Sequence, residues 1–583
     1  MPQSELRAAR RSDLVSRANG GNAAPGEIRA ASDERRETKF DPWLAGILAL
    51  SGLLNCWYLT WGLPNGNNSW AADAIGPVTA LGIARRALGT WNSGWFYFKY
   101  PPGWPFVMVL AGAPYLAWLY VTGGWHAPSG TYPYGFADPE RTLFVLAMLA
   151  RAVNVAFGIG TAALAYGIAN RLLGRGAARW SAFLVATAYP IVYYAHTSNL
   201  DIGYCFWLIL ALYCAIVAAG TDRPAPWIGM GVAAGMALAT KEQGFAFLLP
   251  LPVMALAARG RRADGLRVIW RAPAMWMIGA GALTLLLANN ALLNPLGFIG
   301  RIAYLLGHPL GHVDARLAPV EFALWKGPKE WVYVRQLWDG FESSLGLPLL
   351  AVAGIGALTI WRRPRAALWL FVPTLAMYYL SLRGLDLITL RYLLPVSVVA
   401  LILAGAVLAE LWARAARTPA RWMAGAALAG LAALSLARAV ELNWLLATDA
   451  RYQAEAWMAA HLPGGARAEV YQKPAFIPRF RGGIEGHFVP FDQRSRAALL
   501  ERAPDAIVTS TASRKSITHS WTADWRETHS LLTAQPAAVD LLAGLEAGEL
   551  PYHVGAVLRQ EPVLLRNRIT SVAPEITIYV RNQ

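Results

Sequence analysis

The sequence predicts a polytopic α-helical membrane protein that ends in a small α/β domain outside the membrane. Of the 583 residues, 56% are hydrophobic and only 15% are charged, whereas about 25% would be charged in a soluble protein. Uncharged runs recur along the chain, and residues 43–63 alone are long enough to cross a hydrocarbon core. After residue 441 the composition changes to that of a soluble α/β unit.

We expect about 11–13 spans. The 25 Trp and 22 Tyr residues are typical of side chains that anchor spans at the membrane interface. The apolar runs that predict the spans are residues 43–63, 103–123, 152–170, 180–195, 202–221, 226–240, 243–258, 272–294, 346–360, 366–382, 392–409 and 422–437.

The orientation follows from the basic residues. Residues 1–42 mix acidic and basic side chains without an apolar run, so we expect a disordered cytoplasmic tail and no signal peptide. Arginine clusters mark further cytoplasmic loops, as at residues 171–179. This bias accounts for most of the net charge of +16, so we expect no nucleic-acid partner. The chain is therefore predicted to be a multi-pass protein of a bacterial inner or plasma membrane.

The predicted organisation has three parts. Residues 1–42 are the tail, residues 43–440 are the transmembrane domain, and residues 441–583 are an extracytoplasmic α/β domain. The transmembrane domain carries external loops at 64–102 and 295–345. An even number of crossings must separate Asp73 from Asp201 if both are external, but three apolar runs lie between them. One of these runs is therefore expected not to cross. In the last domain we predict helices at 455–461 and 539–550 and strands at 506–508 and 576–580.

The first candidate site follows the first span. Asp73 lies just outside the membrane, where a carboxylate can act as a general base or simply be a solvated loop residue. Lys99 and Tyr100 precede Pro101-Pro102-Gly103 at the start of the next run. The lysine could hold a phosphate as a point charge, or it could extend to lipid headgroups.

Five further candidate residues interrupt later apolar runs. His196 and Asp201 end one run and open the next. His196 is a candidate substrate-binding residue, although a histidine here is more often an interfacial hydrogen-bonding residue than a ligand. Asp201 could bind a metal, a sugar hydroxyl or a basic side chain. Lys241 and Glu242 are adjacent opposite charges that could neutralise each other or line a polar cavity. Arg391 opens a late run, where its guanidinium could bind a phosphate bidentately or anchor the helix to headgroups.

Metal and disulfide chemistry is weakly indicated. His308 and His312 have the spacing of a helical metal pair, but Pro309 and Gly311 argue against a regular helix there. The three cysteines all lie in apolar runs and are expected to be small buried side chains, at positions 56, 205 and 214. A divalent metal is left open as a cofactor, and the lack of a glycine-rich phosphate loop predicts no nucleotide.

Taken together, these residues resemble the GT-C superfamily of membrane glycosyltransferases. The resemblance is greatest to the dolichyl- or polyprenyl-phosphate-mannose mannosyltransferases, a branch that includes the lipid A aminoarabinose transferases. It covers roughly residues 43–460. Its signs are Asp73 in the first external loop and four later segments: Lys99 to Gly103, Ala-His-Thr-Ser-Asn-Leu-Asp ending at Asp201, Ala-Thr-Lys-Glu-Gln-Gly around Lys241, and Arg391-Tyr392-Leu-Leu-Pro.

The resemblance implies that a hexosyl or pentosyl group is moved from a polyprenyl phosphate to a hydroxyl of a lipid, glycan or protein at the external face, with inversion. It implies that Asp73 is the base and that Lys99 and Arg391 hold the donor phosphate, while Asp201 and Lys241 complete the site. Many relatives have Asp-Glu in the first loop, whereas Asp73 is followed by Ala74. How an acceptor or a metal is held therefore stays open.

Two other function classes fit the same residues. Asp201 and Lys241-Glu242 could form an ion path in a secondary transporter, although no internal repeat supports this alternative. A membrane scaffold or sensor with an external binding domain is the other alternative.

Overall fold

The structure is a computed structural model that describes residues 41–65, 69–88, 101–221, 223–259, 272–305, 330–384, 388–524, 529–566 and 569–582. The chain separates into two compact units, Met1–Gly46 and Ile47–Gln583. Only residues 41–46 of the first unit are described. The second unit contains the predicted transmembrane domain from Ile47 onward and the predicted C-terminal domain.

The first half of the described chain is helical, and every predicted apolar run up to residue 294 forms helix. These helices are α1 (Pro42–Cys56), α2 (Pro77–Leu88), α3 (Gly103–Thr122), α4 (Pro139–Leu172), α5 (Arg175–Ala186), α6 (Tyr189–Ala195), α7 (Leu200–Ala218), α8 (Pro224–Thr240), α9 (Phe245–Leu248), α10 (Pro250–Arg259) and α11 (Ala272–Ala288).

The helices continue to the start of the C-terminal sheet. They are α12 (Pro295–Leu305), α13 (Glu330–Leu345), α14 (Leu347–Thr359), α15 (Pro364–Leu380), α16 (Leu390–Ala415), α17 (Arg421–Ala447) and α18 (Ala450–His461). The predicted loop 295–345 thus begins and ends in helix, and residues 306–329 lie outside the described part of the chain. Because α17 runs to Ala447, the first residues of the predicted C-terminal domain belong to a helix of the membrane part.

Fewer helices meet the length of a span than the sequence predicts. Among the described residues, five helices are long and apolar enough to cross a membrane, or six if the bent pair α13–α14 counts as one span. Part of this difference is one of helix length. Pro224–Thr240, Ala272–Ala288 and Pro364–Leu380 are helices of 17 residues each, which is slightly short for a hydrocarbon core of about 30 Å.

The run at 180–195 forms no helix of span length. It is divided between α5, with 12 residues, and α6, with 7 residues. The two other runs between Asp73 and Asp201 form helices of 20 and 34 residues, α3 and α4. With the broken run set aside, two spans separate the two acids, which is the even number that the predicted orientation requires.

A close backbone contact fixes the start of α3 against the end of α8. A Cβ atom added at Gly103 would lie 2.4 Å from the carbonyl oxygen of Ala239. Only glycine fits there without a backbone shift, and this explains the glycine after Pro101-Pro102. The contact brings the segment that follows Lys99 and Tyr100 next to the segment that carries Lys241.

Gly103→Ala is therefore expected to destabilise the protein by about 1–3 kcal/mol, the usual cost of overpacking. The matched control is Gly82→Ala in α2, because a Cβ there meets nothing within 4 Å and alanine favours helix. Thermal unfolding in detergent should show a lower midpoint for the first variant only. An equal midpoint for both variants would contradict the close contact.

The C-terminal part contains seven described strands and three further helices. The strands are β1 (Arg467–Val470), β2 (Glu485–Phe488), β3 (Ala506–Ser510), β4 (His519–Asp524), β5 (His529–Ala534), β6 (Tyr552–Leu558) and β7 (Ile576–Arg581), and the helices are α19 (Arg496–Arg502), α20 (Lys515–Thr518) and α21 (Pro536–Glu546).

Five of the strands form one sheet in the order β2-β1-β3-β7-β6. In this sheet β1 is parallel to β2 and β3, while β7 is antiparallel to β3 and β6. Apolar clusters cover both faces of the sheet, with Val508 and Ile578 in one cluster and Ile507 and Tyr579 in the other.

These elements confirm the predicted α/β character. The strands predicted at 506–508 and 576–580 are the neighbours β3 and β7, which pair with Val508 opposite Ile578. The helix predicted at 455–461 is the second half of α18, and the helix predicted at 539–550 is α21, which begins three residues earlier at Pro536. Strands β4 and β5 form a separate two-stranded hairpin.

Candidate functional site

Asp73 forms an ion pair with Arg391. Arg391 Nη1 lies 2.7 Å from Asp73 Oδ1, with 19% of the arginine side chain and 52% of the aspartate side chain exposed. Arg391 is the second residue of α16, where the helix dipole disfavours a cation. A carboxylate from another segment offsets that cost, so the two groups stabilise each other across 318 residues of sequence.

The chain between α1 and α2, described as residues 57–65 and 69–76, contains Asp73 and is called the Asp73 loop. The segment before α7 holds the backbone of this loop. Asn199 caps α7, with its Oδ1 accepting from Asp201 N at 2.6 Å, and its Nδ2 donates to the Asp73 carbonyl at 3.1 Å. Ser198 Oγ donates to the Ile75 carbonyl at 2.8 Å. From α4, Asn154 Nδ2 donates to the Asn199 carbonyl at 2.7 Å. Three buried polar side chains thus fix the backbone from which the half-exposed Asp73 side chain extends.

Asp201 and Lys241 form a buried ion pair. Lys241 Nζ lies 2.8 Å from Asp201 Oδ1, and the two side chains are 1% and 2% exposed. Asp201 is in the first turn of α7 and Lys241 directly follows α8, so each charge also has the sign that its helix terminus favours. Paired charges at this depth are kept only with well-placed partners, because their desolvation is costly.

The ring of Tyr392 lies next to the cations of both ion pairs. Lys241 Nζ is 4.1 Å from its centroid and Arg391 Cζ is 5.1 Å from it. A cation within about 6 Å of an aromatic face is attracted to it. The Asp73–Arg391 pair and the Asp201–Lys241 pair are therefore parts of one cluster. Its residues come from the Asp73 loop, the start of α7, the end of α8 and the start of α16.

Glu242 is turned to a different partner. Its carboxylate Oε1 accepts from Arg301 Nε at 3.0 Å, and the two side chains are 27% and 6% exposed. Arg301 belongs to α12, so this pair ties the end of α8 to that helix. Adjacent Lys241 and Glu242 thus do not neutralise each other but anchor two different elements.

His196 has both ring nitrogens next to backbone carbonyls. Nδ1 lies 2.7 Å from the Val192 oxygen and Nε2 lies 2.7 Å from the Trp57 oxygen. The side chain is fully buried. This bonding joins the end of α1 to the end of α6 and presents no ring atom to a sugar, so the predicted role in substrate binding gains no support from the geometry.

Several predicted residues lie outside the described part of the chain. They are Lys99, Tyr100, His308 and His312. Among the residues that the structure does describe, no group of three or more His, Cys, Asp or Glu side chains is placed to hold a metal ion. Cys205 and Cys214 are buried as expected, whereas Cys56, the last residue of α1, is exposed.

Sequence reasoning missed the side chains that support the cluster. Tyr392 was seen only as part of the Arg391 segment, Asn199 only as part of the Asp201 segment, and Arg301 was missed entirely. The signal for Asn199 was available, because an Asn that precedes Leu-Asp at the start of an apolar run is a favoured N-cap. For Arg301 the neighbouring sequence, Phe-Ile-Gly-Arg-Ile, carries no signal of a distant acid.

Residues 145–290 match the family model of the dolichyl-phosphate-mannose-protein mannosyltransferases. The matched range includes Asp201, Lys241 and Glu242, and it lies between Asp73 and Arg391. A comparison with curated proteins finds no match.

Solved structures show more distant likenesses. ArnT from Cupriavidus metallidurans in the apo state is 14% identical, with 92% of this chain and 97% of that chain covered and a TM-score of 0.42. The archaeal oligosaccharyltransferase AglB from Archaeoglobus fulgidus is 12% identical, with 92% and 88% covered and a TM-score of 0.41. The Pmt1-Pmt2 protein O-mannosyltransferase of S. cerevisiae is 17% identical, with 42% and 33% covered and a TM-score of 0.31.

Because these TM-scores are low, the similarity to known proteins rests on the family model. The match at residues 145–290 confirms the resemblance that the sequence predicted: this chain is similar to the GT-C membrane glycosyltransferases of the mannosyltransferase type, enzymes of the class that takes sugar from a lipid phosphate.

Proposed function

We propose that the protein is an inverting glycosyltransferase that moves a sugar from a polyprenyl phosphate to an acceptor hydroxyl at the external face of the membrane. The observation that carries the proposal is the pairing of Asp73 with Arg391 at 2.7 Å. A half-exposed carboxylate and a guanidinium are the two groups this transfer needs side by side. The family match over residues 145–290 supports the same class of reaction.

In the proposed reaction Asp73 accepts the proton of the acceptor hydroxyl as its oxygen bonds to the anomeric carbon. The bond between that carbon and the phosphate oxygen breaks, and the polyprenyl phosphate leaves with the bonding electrons. Attack opposite the leaving group inverts the configuration. Arg391, together with Lys99, stabilises the negative charge that develops on the phosphate.

The buried Asp201–Lys241 pair supports this site. Asp201 holds Lys241 in place at 2.8 Å, and the Lys241 amine lies over the ring of Tyr392, where it adds positive potential near Arg391. No nucleotide is needed, because the lipid phosphate is itself the leaving group. The proposed acceptor is a hydroxyl of a lipid, a glycan or a protein. We propose that the C-terminal domain helps to select it, because Arg479 of that domain donates to the Leu63 carbonyl at the start of the segment that carries Asp73.

The test is turnover of a panel of polyprenyl-phosphate sugars by purified protein, with candidate acceptors of each class and with and without added divalent metal. Formation of a glycosylated acceptor with stoichiometric release of polyprenyl phosphate is the expected result. Uptake of a labelled solute into liposomes without any covalent product would instead favour the transporter alternative.

Arg391→Lys is expected to raise the donor KM about tenfold, because lysine keeps the charge but loses the fork that matches a phosphate bidentately. Arg414→Lys is the matched control, since Arg414 is near the other end of α16 in an exposed pair with Glu410. Steady-state kinetics over a range of donor concentrations separates KM from kcat. An unchanged donor KM in Arg391→Lys would remove Arg391 from the phosphate site.

A further inference from the structure

A buried ion pair at the start of α18 contacts the Asp73 loop. Arg451 donates to both oxygens of Asp449, from Nε at 2.9 Å and from Nη2 at 2.6 Å, and both side chains are 0% exposed. Trp61 Nε1 donates to the same carboxylate at 2.9 Å. A charge pair removed from water is costly unless its remaining hydrogen-bonding groups are also satisfied.

Arg451 meets that condition by binding two further segments. Its Nη1 donates to the Ala475 carbonyl at 2.9 Å and its Nη2 to the Ser571 carbonyl at 2.7 Å. Ser571 also shares a hydrogen bond of 2.7 Å with the hydroxyl of Tyr193 in α6. One guanidinium thus joins α18, the segment after β1 and the segment before β7 at a single buried point.

The indole of Trp70 is packed against this point. Arg451 Cζ lies 4.4 Å from its ring centroid, Arg479 Cζ lies 5.1 Å from it, and the ring of Tyr452 is 4.6 Å away. Trp70 is 0% exposed and stands three residues before Asp73. Between them the chain makes a turn in which Ala74 N donates to the Ala71 carbonyl at 3.0 Å.

The start of the same loop is also held by the C-terminal part. Gly62 N donates to the Tyr452 hydroxyl at 3.0 Å, and Arg479 Nη1 donates to the Leu63 carbonyl at 2.8 Å. Arg479 is in turn paired with Glu455 of α18 at 2.6 Å. Both described ends of the loop, on either side of residues 66–68, are therefore fixed by contacts with residues that follow α17.

We propose that Asp449 and Arg451, with Trp61 and Trp70 packed on them, are positioning residues that together form a loop latch. This loop latch holds the Asp73 loop where the Asp73 carboxylate meets Arg391. They do not touch the reacting atoms, and the proposal rests on the role proposed above for Asp73. A displacement of about 1 Å at a reacting group can cost about 10²-fold in rate, which is why a buried, fully bonded anchor is useful there.

The test uses Arg451→Lys, which keeps the charge and removes the fork. The matched control is Arg502→Lys, since Arg502 forms a bidentate pair with Glu469 inside the C-terminal domain and does not contact the loop. In Arg451→Lys, kcat should fall about tenfold or more while the donor KM stays within about twofold. Amide hydrogen exchange of residues 69–75 should become faster, while exchange in β3 stays as in wild type.

Unchanged exchange at residues 69–75 in a folded Arg451→Lys protein would overturn the proposal, as would a rise in donor KM with no change in kcat. Where Arg451→Lys does not fold, Trp61→Phe keeps the ion pair, removes the hydrogen bond to Asp449 and leaves a smaller ring next to Trp70. It should give the same changes in smaller size. Exchange needs no substrate, so the latch can be judged even if every donor sugar fails to react.

Discussion

Asp73→Asn is expected to abolish most glycosyl transfer while leaving the donor bound. Asparagine has nearly the shape of aspartate and can still accept a hydrogen bond from Arg391, but it cannot take a proton from an acceptor hydroxyl. Loss of a general base lowers rates by about 10²–10⁴-fold. We therefore expect kcat to fall by about 100-fold or more, with the donor KM close to that of wild type, in assays with purified protein and the reactive polyprenyl-phosphate sugar.

The matched control for this change is Asp492→Asn, which makes the same substitution at an exposed position between β2 and α19. It should retain full turnover. Lys99→Ala extends the experiment to a residue outside the described chain, with at least a tenfold loss expected from weaker charge stabilisation of the leaving phosphate. Full activity in a folded Asp73→Asn protein would rule out Asp73 as the base.

The largest expected effect on stability comes from Lys241→Met. Removal of the lysine side-chain amine leaves the Asp201 carboxyl group, which is 2% exposed, without its partner, and breaking one side of a buried ion pair costs about 3–5 kcal/mol. The unfolding midpoint in detergent should fall sharply, and the yield of folded protein should fall with it. Asp201→Asn alone should have a similar effect, because it leaves the lysine without its carboxylate.

The double variant Asp201→Asn, Lys241→Met distinguishes the pair from a general packing effect. With both charges removed, the desolvation cost disappears together with the attraction, so most of the lost stability should return. A double-mutant cycle on unfolding free energies measures the coupling directly. Additive losses from the two single changes would contradict the proposed dependence of each charge on the other.

The resemblance assigns Asp73 and Arg391 to one site, and the structure shows that the two side chains form an ion pair, while their roles in the reaction stay a proposal. The sequence also predicts the helical runs, because apolar stretches bounded by arginine clusters have few alternatives in a membrane protein. It predicts β3 and β7, since Ala506-Ile507-Val508 and Ile576 to Val580 have the β-branched residues of buried strands. The helices and strands follow from local patterns of apolar residues, whereas the site follows from the resemblance to a known family.

The partners within the site were not predictable in the same way. From the sequence, Lys241 and Glu242 could neutralise each other or line a polar cavity, but in the structure Lys241 pairs with Asp201 and Glu242 with Arg301. His196 was a candidate for substrate binding, yet its two ring nitrogens lie next to the backbone carbonyls of Val192 and Trp57. Such choices depend on which helices pack together, and sequence spacing does not encode them.

The loop latch shows the same limit over a longer distance. Trp61 and Asp449 are 388 residues apart. The sequence indicates only that Asp449 can cap the helix that begins at Ala450, and it gives no sign of the bond to Trp61. The span count also depends on packing, because a run of apolar residues does not reveal whether Pro190 will break it. These features became visible only when the contacts between distant segments were known.

The half-exposed side chain of Asp73 has a consequence for the chemistry in the absence of an acceptor. In its proposed role as the base, a carboxylate that water can reach will activate water as well as a hydroxyl group, so we expect slow hydrolysis of the donor to free sugar when no acceptor is present. Under the same proposal, a bound acceptor suppresses this hydrolysis because it displaces water from the carboxylate. A measured ratio of hydrolysis to transfer would thus report how completely each acceptor covers Asp73.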